Sequence, residues 1–196
     1  MAAHMSFFKG KVDINEAAKA PDQSVMLGLV SSKANIHERD VVGFSPIHYS
    51  ASYGHLETIR VLLDEGARTE SRTKWKRTVL HCAVEHGHYD CCALLIQRNA
   101  DVDAQDEDGV TPLHHAALFG RHTICKLLME VKADCNKLDG GNRTPLHVAA
   151  REGHVDIVRS LLQNGASAQA KTLTGKLPAD LTESDEILRL LAKARR

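Results

Sequence analysis

Thr111-Pro112-Leu113-His114 and Thr144-Pro145-Leu146-His147 are the same four residues set 33 apart, and the same frame upstream holds Thr78-Val79-Leu80-His81 and Ser45-Pro46-Ile47-His48. Other positions keep this beat. Glycine returns at Gly54, Gly87, Gly120 and Gly153, alanine at Ala67, Ala100, Ala133 and Ala166, and a large apolar pair at Leu62-Leu63, Leu95-Ile96, Leu128-Met129 and Leu161-Leu162. Several registers locked to one period define stacked repeats, in which no unit can bury its apolar face without its neighbours.

Within a unit, local chemistry predicts two helices. A Ser or Thr followed by proline is an N-cap with Pro at the first helical position, and the glycine nine residues on from it closes a helix of about two turns. Leu56, Ile59, Leu62 and Leu63 then fall on one face at helical spacing, which predicts a second, longer helix. Gly66, Asn99 and Gly165 close it. Polar stretches such as Asp106-Glu107-Asp108-Gly109 have turn chemistry and lead to the next cap.

These registers together resemble the ankyrin repeat. The fold class is therefore all-α: an ankyrin-repeat solenoid of four full helix-turn-helix repeats, expected at 40–72, 73–105, 106–138 and 139–171. Degenerate capping repeats are expected at 5–39 and 172–196. In the first, Val12 to Asn15 fall under the motif, with Leu29-Val30 and Ala34 in register, and Lys11, Asp13, Glu16 and Lys19 give a polar face. In the last, Leu177-Pro178-Ala179-Asp180 replaces the motif, and Ile187, Leu190 and Leu191 form the apolar side of a closing helix. Terminal units with a polar face keep such a stack soluble. Residues 1–4 read as a cloning remnant, because His4-Met5 is what a common vector junction leaves.

With 43% hydrophobic and only 4% aromatic residues, the core must be aliphatic and rich in alanine. Twenty-five Lys plus Arg balance 25 Asp plus Glu, so no global charge steers the chain to nucleic acid or to a membrane surface. No apolar run approaches the ~20 residues of a membrane-spanning helix. Cys82, Cys91, Cys92, Cys125 and Cys135 are odd in number, and Cys92 and Cys125 share the core register of Ile59 and Val158. Free buried thiols in that pattern predict a reducing home, cytoplasmic or nuclear.

Readings as an enzyme or a metal protein fail on spacing. His81-Cys82-Val84-Glu85-His86-His88 looks like a zinc cluster, yet His81 and His88 are repeat positions, and no C-x2-C pair with a second pair exists. The stretch from Asp101 imitates a calcium loop, but its sixth residue is Asp106 rather than Gly and its twelfth is Pro112 rather than Glu. Asn142-Arg143-Thr144 has the form of a glycosylation sequon, but Thr144 is a helix cap. With no phosphate loop, nucleophile elbow or paired catalytic acids, the expectation is no catalysis, no cofactor and no metal. The ankyrin resemblance assigns a structural role to His48, His81, His114 and His147, whose rings hydrogen bond to the motif Ser or Thr and to neighbouring turns.

The same resemblance puts partners on the concave side, made of projecting turns and the free flank of the first helices. At positions left free by the framework stand Tyr53, Lys74, Trp75, Arg77, His86, Val110, Leu118 and Phe119, which are the expected partner-binding residues. The single Trp on a turn tip and Leu118-Phe119 in an otherwise polar register make an unusual surface unless a protein covers it. Repeat two departs most from the family, with Thr73 for Asp, Lys76 for Gly and Val79 for Pro. Its turn is basic through Arg68, Arg72, Lys74, Lys76 and Arg77, while in the next turn Asp103, Glu107 and Asp108 are acidic beyond the framework. A partner protein is expected, with the chain monomeric alone and no membrane or direct nucleic-acid contact. The alternative is nucleic acid or a phosphorylated or anionic ligand at Arg68 to Arg77. Arg72-Thr73-Lys74, Arg77-Thr78 and Leu80-His81 also resemble one repeat of the ankyrin domain in the beta subunit of GA-binding protein, which pairs with a DNA-binding subunit. Finally, Asp134-Cys135-Asn136 with Leu128 upstream resembles the pattern hydroxylated in ankyrin domains, making Asn136 a candidate modification site.

Overall fold

The computed structural model describes residues 13–194. Val12, Lys11 and the expected cloning remnant lie outside them. Eleven α-helices are present among the described residues: α1 (Ile14–Lys19), α2 (Ser24–Ser31), α3 (Pro46–Tyr53), α4 (Leu56–Asp64), α5 (Val79–His86), α6 (Tyr89–Gln97), α7 (Pro112–Leu118), α8 (His122–Glu130), α9 (Pro145–Arg151), α10 (Val155–Gln163) and α11 (Asp185–Ala194). A 3-10 turn, Pro178–Leu181, stands before the last. Odd-numbered helices α1 to α9 stack in one layer, continued by the 3-10 turn, and α2 to α10 stack in a second, continued by α11. The only extended pairing among the described residues is an isolated antiparallel bridge, Arg72 to Thr78.

Each first helix starts where the motif dictates. Ser45, Thr78, Thr111 and Thr144 are N-caps in extended conformation, and their capping partner is the motif histidine instead of the usual Glu. The cap hydroxyl lies 2.8 to 2.9 Å from His Nδ1 in every copy. The cap's own backbone N–H donates to the same nitrogen. On the far side of the ring, Nε2 donates to a carbonyl of the next turn: Ser71, Val110, Arg143 and Lys176 respectively. A carbonyl can only accept, so the proton sits on Nε2 and Nδ1 is left as the acceptor. One neutral imidazole thus closes a helix end and, at His81, His114 and His147, ties two repeats together.

The second helices carry the core. Met26, Ile59, Cys92, Cys125 and Val158 recur one per period and are fully buried. All five cysteines are free and buried. Burial pushes the thiols of Cys82 and Cys125 up to about 12 and that of Cys91 to about 11. The first unit differs in detail from the sequence reading. Its cap is Asp13, whose carboxylate accepts the Asn15 N–H at 2.7 Å, and Ile14 takes the core place of Ile47. Of the pair Leu29-Val30 it is Val30 that is buried, whereas the other units bury the first member. In the last unit Asp180 Oδ2 accepts the Leu177 N–H at 2.8 Å, doing for the 3-10 turn what histidine does elsewhere. Ile187 and Leu191 seal the end.

Candidate interaction surface

Between units the chain projects a tight turn, built on one aspartate. Asp40 Oδ1 accepts from Val42 and Phe44 N–H, Asp106 Oδ1 from Asp108 and Val110, and Asp139 Oδ1 from Gly141 and Arg143, all at 2.8 to 3.0 Å. The turns are sewn edge to edge. Lys74 N–H donates to Val42 O at 3.1 Å, Glu107 to Trp75 O at 2.9 Å, Gly140 to Asp108 O at 2.7 Å and Leu173 to Gly141 O at 3.0 Å. The result is a row of tips in fixed order.

Repeat two breaks the pattern. Thr73 replaces the aspartate, and its hydroxyl is buried with no hydrogen-bond partner. The guanidinium in that unit then has no carboxylate on its own turn. In repeat four Arg143 folds back onto its own Asp139, Nε to Oδ2 at 2.7 Å. Arg77, in the same register, reaches forward to Glu85 Oε2 at 3.0 Å and to Asp106 Oδ2 at 3.9 Å. Repeat three has Val110 in that register, so Asp106 draws its cation from the repeat before it. His115 stands beside both acids, and its contact with the Asp106 carboxyl helps hold that group below its ordinary value despite the opposing effect of burial.

The expected partner-binding residues divide on this frame. Tyr53 is 53% exposed, Trp75 42% and Phe119 39%, and Lys74 and His86 are also exposed. Tyr53, Arg77 and His86 come together in one cleft of about 390 Å³ with Phe44, Tyr49, Ser52, Cys82 and Glu85. Trp75 and Arg77 line a second, of about 320 Å³, with Asp106, Glu107 and Asp108. Phe119 lines neither; it ends α7 with its ring 5.9 Å from that of His115. Leu118 and Val110 are half-buried, Leu118 against the core, while the Val110 carbonyl accepts from His81 at 3.0 Å.

Two charge assignments need correction. Arg72 is not available to a ligand, because its Nη1 donates to Lys76 O at 3.0 Å and Gln105 O at 2.8 Å; with Arg77 paired, the basic turn presents only Arg68, Lys74 and Lys76. Asp103 is no surplus acid either. Its Oδ1 accepts the Asp134 N–H of the next unit at 2.9 Å, as Glu70 does for Asp101 and Asn136 for Ser167. Asn136 also donates to Gly165 O at 3.0 Å, so its amide is an inter-repeat brace. Sequence reasoning passed over Glu85, Asp106 and His115 as one cluster. The doubled histidine in Leu113-His114-His115 was the available signal, since the other units place Tyr49, Cys82 and Val148 there. Among the described residues no three His, Cys, Asp or Glu side chains converge as a metal ion would require, and no helix is long and apolar enough to cross a membrane.

The sequence profile of the family described as ankyrin repeats (3 copies) matches residues 14–106 and 98–172, and the chain belongs to the ankyrin-repeat family. Repeats of this kind are in general protein–protein interaction modules, and their proteins are typically non-catalytic scaffolds. A search among curated proteins returned no relative.

Proposed function

We propose that this protein is a non-catalytic scaffold that holds a partner protein against the tips and the exposed flanks of its first helices. The observation that carries the reading is three large exposed aromatic side chains: Trp75 on a turn, and Tyr53 and Phe119 at the ends of α3 and α7. Large rings exposed on a surface are typical anchors of an interface. Lys74, Arg77, His86, Val110 and Leu118 would complete the contact. The buried free cysteines favour a cytoplasmic or nuclear setting. The basic turn as a site for nucleic acid or an anionic ligand is the weaker reading, since Arg72 and Arg77 are already engaged. Asn136 remains a candidate for hydroxylation, to be checked by mass spectrometry after co-expression with an asparaginyl hydroxylase.

The test compares wild type with Trp75→Ala and Phe119→Ala as bait in affinity capture read by mass spectrometry, beside thermal melts. Each truncation is expected to weaken capture of a specific partner by roughly 2 kcal/mol and to leave the melting temperature nearly unchanged. Variants that capture the same proteins equally well, or that unfold, would remove these rings from the interface.

A further inference from the structure

His115 lies between two carboxylates, close to both but at full hydrogen-bond distance from neither. The residue is 3% exposed, its Nδ1 is 4.0 Å from Glu85 Oε2 and its Nε2 is 3.7 Å from Asp106 Oδ2. Both separations exceed a hydrogen bond. Nδ1 has no hydrogen-bond partner at all. The single guanidinium of Arg77 already serves those same two acids. His115 Nδ1 is therefore left without a partner beside a carboxylate, in a place where an unmade hydrogen bond is costly.

A neighbouring cleft shares Arg77 and Asp106 with this cluster and is itself rich in acid. Trp75 and Arg77 line it with Asp106, Glu107 and Asp108. Glu107 and Asp108 are exposed, so with Asp106 three carboxylates line the cleft beside one guanidinium, which is already shared with Glu85. Lys74 and Lys76 adjoin Trp75 in sequence but do not line this cleft. The Trp75 ring supplies a wall on which a cation can lie.

We propose that this cleft receives an arginine or lysine side chain from a partner segment, with its cationic head at the Glu107 and Asp108 carboxylates and its stem against the Trp75 ring. The proposal deepens the scaffold reading and rests on it: it names a basic segment as the chemistry the tips recognise. An acidic segment would meet like charge here.

Trp75 is the only tryptophan in the chain, so its emission reports this cleft alone. The intact protein is titrated with the peptide acetyl-Gly-Arg-Gly-Arg-Gly-amide and separately with its Glu counterpart. The expected result is a saturable emission change with the Arg peptide that weakens as salt rises, and none with the Glu peptide. Glu107→Gln with Asp108→Asn is expected to weaken the response about tenfold while leaving the thermal melt unchanged, because neither carboxylate takes part in the turn's hydrogen bonds. No response to the Arg peptide, an equal response to the Glu peptide, or an undiminished response in the double variant overturns the proposal. Failure here with the Trp75→Ala capture defect intact would reject the basic segment and keep the scaffold.

Discussion

Position 76 shows how a single residue can sit against its own backbone. Gly43, Lys76, Gly109, Asn142 and Gly175 occupy one register of the turn, and all five have positive φ, 57° at Lys76. Only glycine takes that conformation without strain, which costs other residues about 1 kcal/mol. Lys76→Gly is therefore expected to raise stability by about 0.5 to 1 kcal/mol, read as a higher urea midpoint with unchanged slope. A lower midpoint would mean that the lysine side chain makes a stabilising contact. Thr73 makes a second case. Its buried hydroxyl has no partner, and in the other repeats the aspartate at this place accepts two turn N–H groups. Thr73→Asp would restore those acceptors and put a carboxylate within the turn that bears Arg77, with an expected gain of about 1 kcal/mol. The two changes act on one turn, so their gains should not add.

At the scale of the helix, core and surface positions should respond oppositely. Ile59 and Leu128 are fully buried on α4 and α8, and truncating either to alanine should cost roughly 2 to 5 kcal/mol through the cavity left behind. Chemical denaturation decides it: a loss under about 1 kcal/mol would mean that the stack collapses around the gap. These positions were readable from sequence because helix periodicity and capping are local, repeated four times and mutually consistent. Arg77 was not. Arg77 and Arg143 share a register, yet one turns forward and the other back, because the carboxylate present in repeat four is missing in repeat two. The partner of such a side chain depends on residues 8 and 29 positions away, which a one-dimensional period does not encode. Asp103 misled for the same reason: its role as a brace exists only once the next unit is stacked on it.

Across the whole molecule the four motif histidines form a chain of ties, and their chemistry sets how the stack responds to acid. Burial lowers the pKa of His48 and His81 from 6.5 to about 4, and those of His114 and His147 also fall. The geometry gives a second reason. A proton on Nδ1 would face the cap's own N–H, so the charged ring cannot keep the helix cap. Because the folded pKa lies below the unfolded one, the unfolded chain binds more protons throughout the interval between them. Stability from these groups is complete above pH 6.5 and is lost as the pH falls toward about 4. Within that window each histidine contributes a slope of up to about 1.4 kcal/mol per pH unit. Asp40 and Asp106, held below the ordinary 3.8, carry the loss further down. Urea midpoints measured from pH 7.5 to 4 should therefore fall steadily below pH 6.5, and His81→Asn should flatten the curve while lowering its neutral plateau. A midpoint that stays level from pH 7 to pH 5 in the wild type would show that these rings are not neutral ties.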